Sequence, residues 1–146
     1  MALLDEVEFR DLDPDEMGFV MDSWFRSYRS SEYAGVIPNH LYYPTMREML
    51  ASLMIRGAKI LTAVTRMQDG DRVVGYVCYE RKGSEAHVAY IYCKDPFRQM
   101  GLGRALWNKA TDGASTVIYS HKTRMSRFLV PHSARFIPEV ARRKEF

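Results

Sequence analysis

The sequence predicts a mixed α/β (α+β) fold, in which a mostly antiparallel sheet carries helices on both faces. Three apolar, strand-like segments follow one another across short turns, and segments with helical periodicity lie before and after this set. At 146 residues the chain can bury one sizeable core but not two. We therefore expect a single domain over residues 1–146.

The chain begins with a predicted strand and helix. Residues 7–12 (VEFRDL) alternate between apolar and polar side chains, as a strand does. The stretch DPDE (13–16) then provides an N-cap aspartate, a proline at the first helical position and a glutamate three residues after the cap. These signals predict a helix that runs to about Arg29.

A second helix is predicted for residues 45–57, which end in a glycine typical of a helix C-terminus. The preceding segment, 30–44, is predicted to be a loop. It is unusually rich in aromatic side chains, so it either folds over the core or forms a wall of a substrate pocket. The candidate wall residues are Tyr33, His40, Tyr42 and Tyr43.

The middle of the chain predicts an antiparallel meander of three strands, at residues 59–66, 72–81 and 86–93. An Asp-Gly pair in the first connection is a hairpin signal. A helix over 101–112 and a strand over 115–121 follow. The remaining tail is too short for a normal pair of strands, so the C-terminal strands are expected to be short or missing, and its basic cluster ARRK (141–144) is expected to be solvated.

Composition narrows the class of protein. The net charge of +3 suits an anionic ligand. The basic residues are dispersed along the sequence and form no stripe that would indicate nucleic acid. Cys78 and Cys93 lie too far apart for a metal-binding or redox pair, which favours a reducing cytoplasm. No apolar run reaches the ~20 residues of a membrane span, and the acidic N-terminus does not resemble a signal peptide.

A glycine turn opens the predicted helix at 101–112. Arg98, Gly101 and Gly103 satisfy the pattern [Q/R]xxGxG directly after a strand, and Arg104 follows. Small residues allow an anion to approach main-chain amides, and the first turn of a helix leaves its amides unpaired with partial positive charge. The pattern predicts a phosphate cradle. It is not a Walker A loop, because the chain has no GxxxxGK[ST] pattern, and it is not a dinucleotide fingerprint, because position 106 is leucine and not glycine.

This motif, set after a meander and two N-terminal helices, resembles the GNAT superfamily of acyl-CoA-dependent acyltransferases over residues 7–136. The resemblance implies a sheet that splays between its fourth and fifth strands, and acetyl-CoA bound in that opening with no metal. The strand edge implied to pair with the pantetheine arm is Ile91, Tyr92 and Cys93. The residues implied to bind the pyrophosphate are Arg98, Gln99, Met100, Gly101, Leu102, Gly103 and Arg104.

Two segments resemble serotonin N-acetyltransferase-like members of the superfamily more closely. One is AHVAYIYCKDPFRQMGLG (86–103), which reads similarly through FRQ and the glycines. The other is the shorter FLVPHSARF (128–136).

Acylation of an amine requires a proton to leave, because an alkyl ammonium has a pKa near ~10. His87, eleven residues before Arg98, lies where such enzymes often carry their base, and strand alternation would place it on one face with Ala89 and Ile91. Glu80, Glu85 and His121 are alternatives.

The leaving thiolate benefits from an acid, and many relatives use a tyrosine in the segment that matches 128–136. Here Ser133 stands at that place with His132 beside it, and Tyr119 is a further candidate. The resemblance implies a main-chain amide at a strand bulge near Cys93 as the donor to the reacting oxygen. The Cys93 thiol is expected to be a packing residue.

These features predict an N-acyltransferase that moves an acetyl group from acetyl-CoA to a primary amine by direct attack in a ternary complex. Partners are an acyl-CoA and an amine on a small molecule or protein; a homodimer that completes the truncated sheet is one interpretation. The alternatives are a CoA-binding or protein-interaction module without turnover, and a nucleobase-modifying protein. The missing tyrosine and short tail favour the module, whereas His87 favours the enzyme.

Overall fold

The computed structural model describes residues 6–32, 34–95, 97–123, 126, 130–131 and 133–142. Its sheet has six strands in sequence order. They are β1 (Val7–Asp11), β2 (Lys59–Met67), β3 (Gly70–Lys82), β4 (Glu85–Cys93), β5 (Thr116–Tyr119) and β6 (Arg135–Phe136). Strands β1 to β4 pair antiparallel, while β4–β5 and β5–β6 pair parallel. The predicted mixed, mostly antiparallel sheet is confirmed.

In the described part of the chain, three α-helices cover the two faces of the sheet. They are α1 (Met17–Tyr28), α2 (Asn39–Ile55) and α3 (Leu102–Thr111). Helices α1 and α2 pack on one face around Trp24, Leu53 and Tyr76. Helix α3 packs on the other through Leu102 and Leu106. Burial of these two apolar layers on opposite faces of one sheet holds the domain together.

Helix α2 corrects the predicted loop at 30–44, because it begins at Asn39 and contains Pro44. Pro38 provides the extended N-cap backbone. Pro44 cannot donate a helical hydrogen bond, which weakens the helix at that point. The contacts of Tyr42 offset this loss, because its side chain is buried and its hydroxyl donates to the Phe25 carbonyl at 2.6 Å. This packing between α1 and α2 allows the helix to begin at Asn39, before Pro44, and not at the predicted residue 45.

The other predicted helix limits are close to those observed. A capping box between Asp13 and Glu16 opens a 3-10 turn (Pro14–Glu16) that continues into α1. Helix α3 ends before Gly113, whose φ of +72° is a conformation that glycine adopts without strain.

Strand β4 carries a bulge and then leaves its neighbour. Its register against β3 shifts so that Cys78 opposes Tyr90 and Tyr79 opposes Val88, with Ala89 as the extra residue. Pairing with β5 ends at Val88 opposite Tyr119. The predicted opening between the fourth and fifth strands is therefore present.

The bulge corrects two expectations. It lies at Ala89 and not near Cys93. It also breaks the predicted alternation: Ile91 packs with Val88 in the core beneath α3, whereas Ala89 and Tyr90 belong to the core beneath α1 and α2. One inserted residue moves every later side chain to the opposite face, because strand side chains alternate with a period of two.

After β5, the described residues form one short strand and a 3-10 segment in place of a pair of full-length strands. Strand β6 has two residues, and a 3-10 segment (Pro138–Arg142) follows it and packs against α2. Val140 and Ala141 are buried, and the Val140 carbonyl accepts a hydrogen bond from Arg56 at 2.8 Å. Arg142 is exposed, as expected of the basic cluster.

Candidate active site

The edge of β4 that β5 leaves open borders a cleft of about 430 Å³. Ile91, Tyr92 and Cys93, the predicted pantetheine edge, line it together with Arg98. Across the cleft lies the end of α1, where the Ser27 hydroxyl is 2.6 Å from that of Tyr90. Because a strand without a neighbour has unpaired main-chain groups, this cleft can hold an extended, amide-containing ligand.

The glycine turn lies at the end of this cleft. A 3-10 turn (Phe97–Gln99) leads to Gly101, which caps α3 with a φ of +83°. Leu102 and Gly103 are buried, so these positions present their main chain and not a side chain to a ligand. The first amides of α3 are the unpaired donors of a helix N-terminus, and this arrangement fits a diphosphate.

Two members of the predicted cradle are engaged inside the protein. The Met100 amide donates to the Phe97 carbonyl at 3.2 Å. Arg98 donates from Nε to the Cys93 carbonyl at 2.8 Å and is half exposed. Arg98 thus ties the turn to the end of β4, while Arg104 is exposed on α3.

Gly75 on β3 is a site-forming residue that the motif analysis missed. A Cβ placed there would lie 2.8 Å from the Tyr92 carbonyl and 3.0 Å from Leu102 Cδ2. The missing side chain lets α3 approach the strands directly behind the cleft. An isolated glycine inside a strand pattern was the available signal.

A second cavity, of about 340 Å³, lies between α1, α2 and the Pro138–Arg142 segment. Its walls are largely aromatic and apolar, and its polar and charged lining residues include Ser120, His121, Glu139 and Arg142. The apolar wall consists of Tyr28, Ala34, Ile37, Tyr42, Met46, Met49, Pro138 and Ala141.

Only part of the predicted aromatic wall lines this second cavity. Tyr42 does, whereas His40 is exposed and Tyr43 is half-buried outside the lining. Tyr33 lies outside the described residues.

His121 stands where the second cavity meets the opening between β4 and β5. It lines the second cavity and also a small cavity that includes Val88 and Tyr119. The Tyr28 and Trp24 rings contact it edge-on, with centroids 4.7 Å and 5.3 Å away. Burial lowers the pKa of His121 to about 3, so the imidazole is neutral at physiological pH.

His87, the predicted base, is fully buried within a chain of polar groups. Its Nδ1 lies 2.6 Å from Glu80 Oε2 and its Nε2 lies 2.7 Å from Ser120 Oγ. Arg56 donates from Nε to Glu80 at 2.9 Å. His87 lines none of the cavities described above, so any exchange of protons with a ligand has to pass through a neighbour such as Ser120.

The alternative candidates are placed as follows. Glu85 is exposed at the start of β4, and Ser133 is exposed in the turn before β6. Tyr119 packs on Phe136, with ring centroids 5.3 Å apart, and lines the small cavity. Burial raises the pKa of Cys93 to about 12, which agrees with a packing role. His132 lies outside the described residues.

Within the described part of the chain, no cluster of His, Cys, Asp or Glu side chains has the arrangement of a metal site. Among the same residues, no helix combines the length and apolar character needed to cross a bilayer.

The fold and the cleft are those of acyl-CoA-dependent transferases. The sheet is splayed, and a glycine-capped helix begins at the end of the open strand edge. The sequence profile of the acetyltransferase (GNAT) family matches residues 19–122. The chain belongs to this family.

Solved structures share the fold at low sequence identity. A putative acetyl transferase from Pyrococcus furiosus aligns with a TM-score of 0.58 at 19% identity, over 82% of this chain and 85% of that one. A GNAT family acetyltransferase from Brucella melitensis in complex with acetyl-CoA gives 0.55 at 14%, over 85% and 81%. PaiA N-acetyltransferase from Thermoplasma acidophilum in complex with coenzyme A gives 0.52 at 18%, over 71% and 69%. No curated protein matches the chain in sequence.

Proposed function

We propose that the protein transfers the acetyl group of acetyl-CoA to a primary amine by direct attack in a ternary complex. The observation that carries this proposal is the position of His121. It lines both the aromatic cavity beneath α2 and the small cavity beside β4, and that small cavity shares Tyr90 and Ile91 with the cleft. A thioester and an amine held on either side of that point would have their reacting atoms together, which is the main requirement for direct transfer.

Acetyl-CoA is the proposed donor because the cleft suits its parts. The open β4 edge suits the amides of the pantetheine arm, and the start of α3 suits the diphosphate. The related structures from Brucella melitensis and Thermoplasma acidophilum contain acetyl-CoA and coenzyme A, respectively. A main-chain amide at the Ala89 bulge is the proposed donor to the developing oxyanion.

The proposed acceptor is a small primary amine on an apolar or aromatic body. The second cavity offers tyrosine, methionine and alkyl walls, and its volume of about 340 Å³ admits a small molecule. Glu139 at its edge can attract an ammonium group. A protein amine would have to enter as a narrow side chain.

His87 is proposed as the final acceptor of the amine's proton. Its partner Glu80 would stabilise the imidazolium that forms, because a carboxylate favours a charged histidine. Ser133 and His132 remain the predicted groups that assist the thiolate.

The test is release of coenzyme A thiol from acetyl-CoA against a panel of primary amines, with the product identified by mass spectrometry. We expect turnover with amines on apolar bodies and none with the matching alcohols. Tight binding of coenzyme A without acetylation of any amine would instead support the binding-module alternative.

A further inference from the structure

Five polar side chains form a continuous hydrogen-bonded row from α2 to the second cavity. Arg56 binds Glu80, Glu80 contacts His87, His87 Nε2 contacts Ser120 Oγ at 2.7 Å, and Ser120 Oγ lies 3.0 Å from His121 Nδ1. Glu80, His87 and Ser120 are each no more than 5% exposed. His121, at the far end, lines the cavity.

The direction of each hydrogen bond follows from Glu80. Burial raises the pKa of Glu80, but hydrogen bonds from His87 and Arg56 prevail and hold it below its usual value, so the group is an ionised carboxylate that only accepts. Burial lowers the pKa of His87 against the opposing hydrogen bond to Glu80, so the ring is neutral. The single proton of His87 must therefore lie on Nδ1, facing Glu80.

The rest of the row is then fixed. His87 Nε2 has a lone pair, so Ser120 donates its one hydroxyl proton there. The Ser120 oxygen can then only accept from His121, which places the His121 proton on Nδ1. His121 Nε2 is then the nitrogen without a proton, and a hydrogen bond between His121 and the Ala89 main chain favours the protonated form of the ring.

We propose that His121 Nε2 takes the proton of the bound acceptor amine and that Ser120 relays it to His87. This inference rests on the proposed function and adds His121 and Ser120 to its machinery. As one N–H bond of the ammonium breaks, the proton binds His121 Nε2. The His121 Nδ1 proton moves to Ser120 Oγ, and the Ser120 hydroxyl proton moves to His87 Nε2.

The relay leaves a neutral amine and an imidazolium at His87 beside Glu80. The amine nitrogen then attacks the thioester carbon, the C–S bond breaks, and the thiolate leaves with the electron pair. The attacking nitrogen loses its second proton as the amide forms, and the thiolate takes up that proton through water. His87 returns its proton to solvent through the same row once product has left. His121 holds the proton only transiently, because burial among aromatic rings and the nearby His87 disfavour its charged form.

The first test reads the hydrogen-bond row directly, without turnover. Nitrogen-15 NMR of the wild-type protein labelled at histidine should show both His87 and His121 with the proton on Nδ1, although the Nε2 form is the more common one for a free histidine. In Ser120→Ala the His121 signal should move toward the Nε2 form. A wild-type His121 protonated at Nε2 overturns the proposal.

The second test distinguishes a proton-relay role of Ser120 from a purely structural role. Ser120→Ala should lower kcat at pH 7 by about tenfold or more, a typical contribution of acid–base catalysis, while leaving the KM for acetyl-CoA unchanged. The loss should shrink at alkaline pH, where the amine is already neutral. Ser120→Thr, which keeps a hydroxyl, should retain more activity. The control Ser23→Ala removes a half-buried hydroxyl on α1 and should leave kcat unchanged.

Different results would contradict the relay and the proposed acetyl transfer. If the wild-type protein acetylates amines and Ser120→Ala does so equally well at every pH, the relay is wrong and the proposed function stands. If the wild-type protein acetylates no amine, the proposed function fails, whatever the NMR spectra show of the row.

Discussion

Glu80 Oε2 lies 2.6 Å from His87 Nδ1, between neighbouring strands β3 and β4, and the same carboxylate binds Arg56 from the end of α2. Arg56 also holds the Val140 carbonyl of the C-terminal segment. One buried carboxylate therefore connects the sheet, a helix and the segment that closes the second cavity.

Removal of the arginine from this buried ion pair should be strongly destabilising. Arg56→Leu leaves Glu80 charged and without its cation, and breaking one partner of a buried pair typically costs ~3–5 kcal/mol. Urea unfolding measures the loss. Arg26→Ala is the matched control, since its pair with Asp22 is largely exposed and should contribute ~0.5 kcal/mol or less. Equal effects of the two variants would contradict the role of the buried pair.

Stability should fall on acidification below about pH 6.5. The pKa of His121 and that of His87 are lower in the folded protein than the ordinary 6.5, so the unfolded chain binds more protons there. Each histidine can add a slope of up to ~1.4 kcal/mol per pH unit as the pH falls, for His121 down to about 3.

Urea titrations between pH 7.5 and 4.5 measure this slope. His121→Gln should reduce it, whereas His40→Gln, on the exposed side of α2, should not. An unchanged slope in His121→Gln would show that this histidine is not neutral in the folded protein.

A side chain at Gly101 should weaken coenzyme A binding more than it weakens the fold. Gly101 has a φ of +83°, and alanine in that conformation costs ~1–2 kcal/mol and displaces the first amides of α3. Gly113→Ala at the other end of the same helix imposes a similar strain, at a φ of +72°, away from the cleft. Calorimetry should show at least tenfold weaker coenzyme A binding for Gly101→Ala alone; equal affinities would argue against the cradle.

A large side chain at Ile37 should obstruct the acceptor and spare the donor. Ile37 lines the second cavity, whereas its neighbour Val36 is 83% exposed and does not. Ile37→Trp is expected to raise the KM for the amine severalfold without changing coenzyme A affinity, while Val36→Trp should resemble the wild type. Steady-state kinetics and calorimetry together check this, and a rise in coenzyme A Kd for Ile37→Trp would place the acceptor elsewhere.

By itself the sequence determined the strand and helix order, the glycine turn before α3 and the family, because these depend on local periodicity, capping and turn residues. The meander from β2 to β4 and the start of α3 follow from residues close together in the chain. The edge at Ile91, Tyr92 and Cys93 was implied by the resemblance to the family, and these residues line the cleft.

Tertiary packing alone decided the hydrogen-bonded row from Arg56 to His121 and the second cavity. Nothing local marks Ala89 as a bulge, yet that one residue sets which face Tyr90 and Ile91 occupy. Ser120 and His121 come close to His87 only because β5 lies beside β4 and then separates from it. Contacts between distant segments are set by the balance of burial and hydrogen bonding over the whole core, which no short stretch of sequence contains.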